Sequence, residues 1–450
     1  MIRDQLLAHA RGRQIWRAIL IIAVLIKIIL AAVTPLAGDF LGWISIGADV
    51  LSGYQYLGIY TGPAYIYAGP LALWRLFAGN IDALNRLYYA YYSGPMIAGP
   101  QISPVVYLFT LTMKIPLLVT DVATMLLIMH IVMKCTGSES KSVIAGFMWA
   151  ASPLVFMSEM FSTADIYSGS LILLGSYMIY ESKPKFGSLS LVVGSILRFS
   201  PLLVTWVYPL AFARAKKGKW FLSFIAVQLA VFGSLAIIIA TFFGSTTLLD
   251  LLTSSRPGIL VPEALFAMGP FFLPTIPHNP YGLGLSLVGY FVIGYLITTP
   301  LIWKTRSVAS EAVAVLAVFY AFTNFFPQFL MWFLPVLVTN AAVSRSGVYR
   351  YTLVTVVGSL AILFRSSDYF AAYGRGVIFV PNWNPTMASV SATIYGLNTL
   401  TVVRSALDSA FTALMLVFIF WILVESRRSR LCGTTPARLP GKTTLATKDS

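Results

Sequence analysis

Apolar residues along this chain come in runs of about 20, divided by short polar stretches, from Ile15 to the region of Glu425. Coiled as a helix, a run of that length spans the hydrocarbon core of a bilayer. The short period-two alternation of a barrel strand is absent. Lipid offers no partner for backbone N–H and C=O groups, so such runs must be helices. The pattern predicts an all-α polytopic membrane protein with about twelve membrane helices. The first span, near Ile15–Leu36, reads as a signal anchor. The second ends near Lys134, the third covers about 142–158, and the fourth returns to Glu181–Lys185. Later spans fall at about 220–241, 283–303, 309–324, 327–343, 351–365 and 406–425. Residues 1–425 form one integral membrane domain, with external loops at about 37–103, 242–282 and 366–405. Residues 426–450 form a polar, disordered cytoplasmic tail. The first external loop is rich in Gly, Pro and Tyr and should hold short surface helices.

One segment breaks the rhythm. The 28 residues from Phe186 to Ala213 have basic clusters at both ends. A single crossing would place one cluster outside, and two full crossings need more chain. The remaining solution is a short re-entrant hairpin near 186–213 that turns at the RFSP stretch, Arg198–Pro201. Proline disfavours helix at the residue before it, which suits a break there. An arm of about 13 residues reaches roughly 20 Å, which places Arg198 in the outer half of the bilayer, inside protein.

Composition sharpens this picture. The 450 residues are 58% hydrophobic and 10% charged, and the net charge is +15. Most of the 31 Lys and Arg cluster before the first span, in alternate loops (Lys134 and Lys141; Lys183 and Lys185; Arg214–Lys219; Lys304 and Arg306; Arg345 and Arg350) and in the tail. This is the positive-inside pattern, with both termini cytoplasmic. The charge reads as a topology signal and a contact for anionic membrane lipids, not as a nucleic-acid surface. Cys135 and Cys432 fall on the expected cytoplasmic side and form no thiolate metal spacing. His9, His130 and His278 form no cluster, and no phosphate-binding loop, HExxH or GxSxG motif occurs in context.

The informative residues are ionisable groups in or beside spans, because each is costly there. Lys114 and Asp121 share a face of the second span, with Lys114 expected at the external boundary by counting back about 20 residues from Lys134. For Lys114 the alternatives are a snorkelling cation or a site residue; for Asp121, an interhelix bond or a site residue. Arg198, half-buried at the hairpin turn, suits a phosphate through its planar fork, or a structural pair with an acid. Asp39 follows the first span by a few residues, so it sits at the membrane surface and is a candidate general base. Asp165 sits at the same level in the loop between the third and fourth spans, among small residues; Asp49 is another acid of the first external loop.

These residues line up with a family. The chain resembles the GT-C glycosyltransferases that use polyprenyl-phosphate sugars, most of all the dolichol-phosphate-mannose-dependent mannosyltransferases of GPI-anchor assembly and their prokaryotic relatives. The resemblance covers about 37–215 and a patch near 324–336. GDFLGWISIGADVLSGYQY and YTGPAYIYAGPL are similar to the family's acidic motif and the aromatic stretch after it, with Asp39 in the acidic position. KIPLLVTDVATMLL supplies Lys114 and Asp121, and WAASPLVFMSEMFSTADIYSGSLILL supplies Asp165. RFSP puts Arg198 where the family has lysine, and FPQFLMWFLPVL supplies Gln328 and Trp332. Only one acid stands where the family often has Asp-x-Asp, so no metal ligand set is assigned, and a divalent metal is the one cofactor the resemblance leaves open.

The resemblance implies an inverting hexosyl or mannosyl transferase with a lipid-phosphate sugar donor and an external glycan, lipid or protein acceptor. Asp39 would be the base. Arg198 and Lys114 would bind the donor phosphate, and Asp165, Asp49, Asp121, Gln328 and Trp332 would line the substrate pocket. The membrane would be the plasma membrane in a prokaryote or the endoplasmic reticulum in a eukaryote. The competing reading is a transporter or flippase of lipid-linked sugars, which should show paired internal repeats; only one short hairpin is present.

Overall fold

The computed structural model describes residues 20–31, 38–53, 61–78, 104–156, 165–198, 200–243, 294–296, 310–322, 330–344, 347–365 and 413–422, with short pieces at 18, 410–411 and 424. The described chain is all-α, without a strand. Its helices are α1 (Leu20–Ala31), α2 (Gly38–Leu51), α3 (Thr61–Ala78), α4 (Pro104–Thr136) and α5 (Glu139–Ala150). Then come α6 (Asp165–Tyr180), α7 (Pro184–Leu197), α8 (Ser200–Thr205), α9 (Val207–Arg214) and α10 (Gly218–Phe243). The last are α11 (Ser310–Phe322), α12 (Leu330–Val343), α13 (Gly347–Arg365) and α14 (Ala413–Ile422). Of the expected loop at 242–282 the first two residues belong to α10; the rest of it, the expected loop at 366–405, the expected span at 283–303 except 294–296, and the tail lie outside the described residues.

The breaks follow local chemistry. Ser138 caps α5 by accepting the Lys141 N–H, and Glu139 complements the helix start. Pro184 opens α7, where its missing N–H costs nothing. At Arg198 the backbone is extended (φ −154°, ψ 148°), and α8 starts two residues later with Pro201 in its first turn. The hairpin turn therefore sits where RFSP puts it, and its second arm divides again at Trp206 between α8 and α9. The arms close tightly there, since a Cβ on Gly194 would stand 2.8 Å from the Pro201 ring.

Helix α12 is the centre of the bundle. Every residue from Leu330 to Ala342 is buried, against α4, α5, α6, α11 and α13. Pro335 leaves the Met331 carbonyl without its helical N–H. That carbonyl presses on Gly169 of α6, where an added Cβ would lie 2.0 Å from it. Only glycine lets the two backbones meet so closely.

Two described helices, Leu108–Thr136 and Gly218–Phe242, are long and apolar enough to cross a membrane. In the second, only 17% of the most apolar stretch is buried, and Leu222, Leu229, Ile237 and Phe242 are each 66–69% exposed. A core helix of a soluble protein would cover such side chains, so α10 supports association with a membrane.

Two expectations need correction. Helix α4 has 33 residues, about 50 Å, which is longer than the bilayer core. Helix α4 continues ten residues before Lys114, which is fully buried and does not snorkel at an exposed lip. Asp165 is not a loop acid either. It is the first residue of α6 and has no solvent exposure.

Candidate functional site

A buried carboxylate needs compensation, and Asp165 has two kinds. Trp332 of α12 donates its indole N–H to Asp165 Oδ1 at 2.7 Å. Arg198 donates from Nη2 to Oδ2 at 3.4 Å, and its Nε lies 3.3 Å from Oδ1. The Gly169–Met331 contact sets α12 against α6 one turn below, which brings Trp332 to the start of α6. The hairpin break holds Arg198 at the same level. Sequence reading proposed Asp165, Arg198 and Trp332 from three separate stretches; the fold makes them neighbours.

The arginine is incompletely used. Both approaches to Asp165 are long for charge-assisted bonds, which usually span about 2.7–2.9 Å. Among the described residues Nε has no aligned hydrogen-bond acceptor, and the side chain is 17% exposed. A guanidinium has five N–H donors, so this one retains capacity for another anion. Nearby, the buried hydroxyls of Ser168, one turn along α6, and Ser200, two residues after Arg198, also have no hydrogen-bond partner among the described residues.

An aromatic wall stands against the pair. The Arg198 guanidinium lies 5.5 Å from the ring centre of Trp43 on α2. Trp43 stacks on Tyr67 of α3, with centres 6.1 Å apart and planes 4° from parallel. The Tyr67 hydroxyl meets that of Tyr167 at 3.2 Å, two residues past Asp165. Tyr67 lies outside the apolar candidate spans. Burial first, then the neighbouring Tyr167 and Asp165, hold its phenol well above the ordinary range, so it stays a hydroxyl. No sequence motif singled out Trp43, Tyr67 or Tyr167. For Tyr67 the available signal was the density of aromatic residues in GYQYLGIYTGPAYIYAGPLALW.

Asp121 belongs elsewhere. Its Oδ2 accepts the Lys27 ammonium at 2.8 Å, with both side chains nearly unexposed, and its Oδ1 accepts the Trp149 indole N–H at 2.6 Å. This node joins α1, α4 and α5, and it is the interhelix bond that the sequence allowed for Asp121. Lys27 went unnoticed there, although a lysine inside the first apolar run meets the rule used for the other charges.

The remaining candidates vary in how far they can be placed. Asp49 is exposed near the end of α2 and is not gathered into the Asp165 cluster. Asp39 is the second residue of α2, four residues before Trp43; its side chain lies outside the described residues, as does Gln328. Lys114 is fully buried in α4. Paired residues Thr124–Ser170, His130–Tyr177 and Lys134–Glu181 run α4 and α6 in parallel at offsets of 46 and 47. That register sets Asp165 level with about residue 119 of α4, five residues after Lys114, so the two lie within roughly 10 Å along the axis. Among the described residues no group of three His, Cys, Asp or Glu could hold a metal ion. No protein-family model, curated protein or solved structure matches the chain.

Proposed function

We propose that the chain is a multi-pass membrane glycosyltransferase with about twelve membrane helices and both termini cytoplasmic. It moves a hexose, mannose in the nearest reading, from a polyprenyl-phosphate donor to an external acceptor. The observation that carries this reading is Arg198: a partly exposed guanidinium at a helix break, loosely paired with buried Asp165 and with donor capacity left over. A purely structural ion pair in a low-dielectric interior would be expected to close tightly. A pair that holds a cation ready for an anionic group need not.

In the proposed reaction Asp39 takes the proton of the acceptor hydroxyl. The hydroxyl oxygen attacks the anomeric carbon from the face opposite the phosphate. The bond from that carbon to the phosphate oxygen breaks, and polyprenyl phosphate leaves with inversion at the sugar. Negative charge grows on the departing phosphate, where Arg198, with Lys114 close in level, stabilises it. Asp39 and Trp43 are four residues apart on α2, so their Cα atoms lie on one helix face. Since Trp43 packs on Arg198, that register supports a base on the phosphate-binding side. Asp165 fixes the guanidinium, and Trp332 fixes Asp165.

The test is transfer from a panel of polyprenyl-phosphate sugars by the purified full-length protein. Asp39→Asn should remove turnover while donor binding survives; normal turnover in that variant would overturn the assignment of the base. Donor movement across reconstituted vesicles without any sugar transfer would overturn the enzyme reading in favour of a flippase.

A further inference from the structure

Arg198 leaves α7 at an extended break, so its own helix does not hold its long side chain. Asp165 faces one edge of the guanidinium: Nε lies 3.3 Å from Oδ1, and Nη2 donates to Oδ2 at 3.4 Å. Contacts that long set where the group sits but leave its plane loose. The Trp43 indole supplies the missing constraint. The guanidinium carbon is 5.5 Å from its ring centre, a distance at which the ring quadrupole draws a planar cation onto the aromatic face.

The indole is itself held. Trp43 and Tyr67 are both without solvent exposure, and their rings stack with planes 4° from parallel. The Tyr67 hydroxyl meets the Tyr167 hydroxyl at 3.2 Å. Tyr167 stands two residues after Asp165, in the first turn of α6. The contacts therefore close a circuit, from Asp165 to Arg198, Trp43, Tyr67 and Tyr167 and back to α6. Both supports of the guanidinium, one on its edge and one on its face, are referred to the same rigid helical turn. What this seat leaves open is the Nη1–Nη2 edge. Among the described residues Nη1 makes no hydrogen bond. Two oxygens of one phosphate match that edge.

We infer that Trp43 and Tyr67 are positioning residues for Arg198. The indole of Trp43 sets the plane of the guanidinium, and Tyr67, tied to Tyr167, sets the indole, so that the Nη1–Nη2 edge is presented to a phosphate monoester. The inference rests on the proposed function for the identity of that phosphate; the circuit itself rests only on the contacts. Without the indole the guanidinium is released to rotate onto Asp165 and close the pair, as Lys27 closes on Asp121 at 2.8 Å.

The experiment measures binding of a polyprenyl monophosphate to the full-length protein in nanodiscs, with the uncharged polyprenol of the same length as control. Trp43→Leu should weaken the phosphate about ten-fold and leave the polyprenol as it is. Trp43→Phe keeps an aromatic face and should recover most of the loss. Tyr67→Phe keeps the stack but removes the hydroxyl bond, and should weaken the phosphate about three-fold. In an Arg198→Ala background Trp43→Leu should weaken the phosphate no further, because the indole acts through the cation. Unchanged phosphate affinity in Trp43→Leu would overturn the inference. So would equal weakening of phosphate and polyprenol, or a further loss in the Arg198→Ala background, since either is the mark of packing alone. Should Trp43→Leu not fold, Tyr67→Phe decides, and unaltered phosphate affinity there overturns the inference. Failure here is separable from failure of the proposed function. Sugar transfer with a phosphate affinity indifferent to Trp43 and Tyr67 sinks the positioning role alone, whereas Trp43-dependent phosphate binding without transfer from any donor sinks the transferase alone.

Discussion

Two buried nodes in this protein have the same parts and different states. At Asp121 a carboxylate takes one tryptophan N–H on Oδ1 and a cation on Oδ2; at Asp165 the hydrogen-bonding pattern is the same. The indole bonds are nearly equal, 2.6 and 2.7 Å. The cations differ. Lys27 closes on Asp121 at 2.8 Å with 1% of its side chain exposed, while Arg198 stays 3.3–3.4 Å from Asp165 and is 17% exposed. Lys27 sits inside a continuous helix, and Arg198 sits at an extended break. The closed node welds three helices. The loose one leaves a charge available. A buried acid and base in a membrane protein is thus weak evidence for a site until the fit of the cation is known.

The largest effect should come from breaking the closed node. Asp121→Asn leaves the Lys27 charge without its carboxylate and should cost about 3 kcal/mol or more of stability. Lys27→Met on that background should recover much of the loss, as read by thermal unfolding in detergent. No recovery would mean that the node does not act as a pair.

Gly169→Leu comes next. It forces α12 off α6, so it should weaken folding and also displace Trp332 from Asp165; a variant that unfolds normally would show that the close approach is not obligatory. At the loose node the sign of the contrast reverses. Arg198→Ala should cost less stability than Asp121→Asn but abolish donor binding, and Arg198→Lys should restore part of it as a point charge. Equal losses of stability at the two nodes would remove the distinction between them.

Trp332→Phe should have a moderate effect, about 1–2 kcal/mol from the lost bond to a charged group, with donor affinity reduced through the freed Asp165. The smallest change concerns neither node. Ser182 and Lys216 close the turns after α6 and α9 at φ 64° and 54°. Ser182→Gly should stabilise by up to about 1 kcal/mol without changing donor binding. That variant reports on scaffold stability apart from the site.

Local patterns announced much of the framework. The proline at 201, three residues after Arg198, placed the hairpin turn there, and the apolar runs placed α10, α11, α12 and α13 to within a few residues. The start of α4 escaped because helix length was taken from bilayer thickness, and the burial of Lys114 escaped because it comes from the helices packed around α4. Asp165 escaped because small polar residues before it read as a loop that runs through it, whereas the helix begins at Asp165 itself. The aromatic wall escaped because a stacking partner 24 residues away and a hydrogen-bonding partner 100 residues away leave no periodic trace.

By itself the sequence determined where helices can form, where they must stop and which charges are too costly to be casual. Those are local matters of backbone satisfaction and transfer of side chains out of water. Only the tertiary structure decided which costly charges meet and how tightly. Asp121 and Asp165 are the same residue type in similarly apolar surroundings. How tightly each is paired depends on where a segment 94 residues away, for Asp121, or 33 residues away, for Asp165, brings its cation.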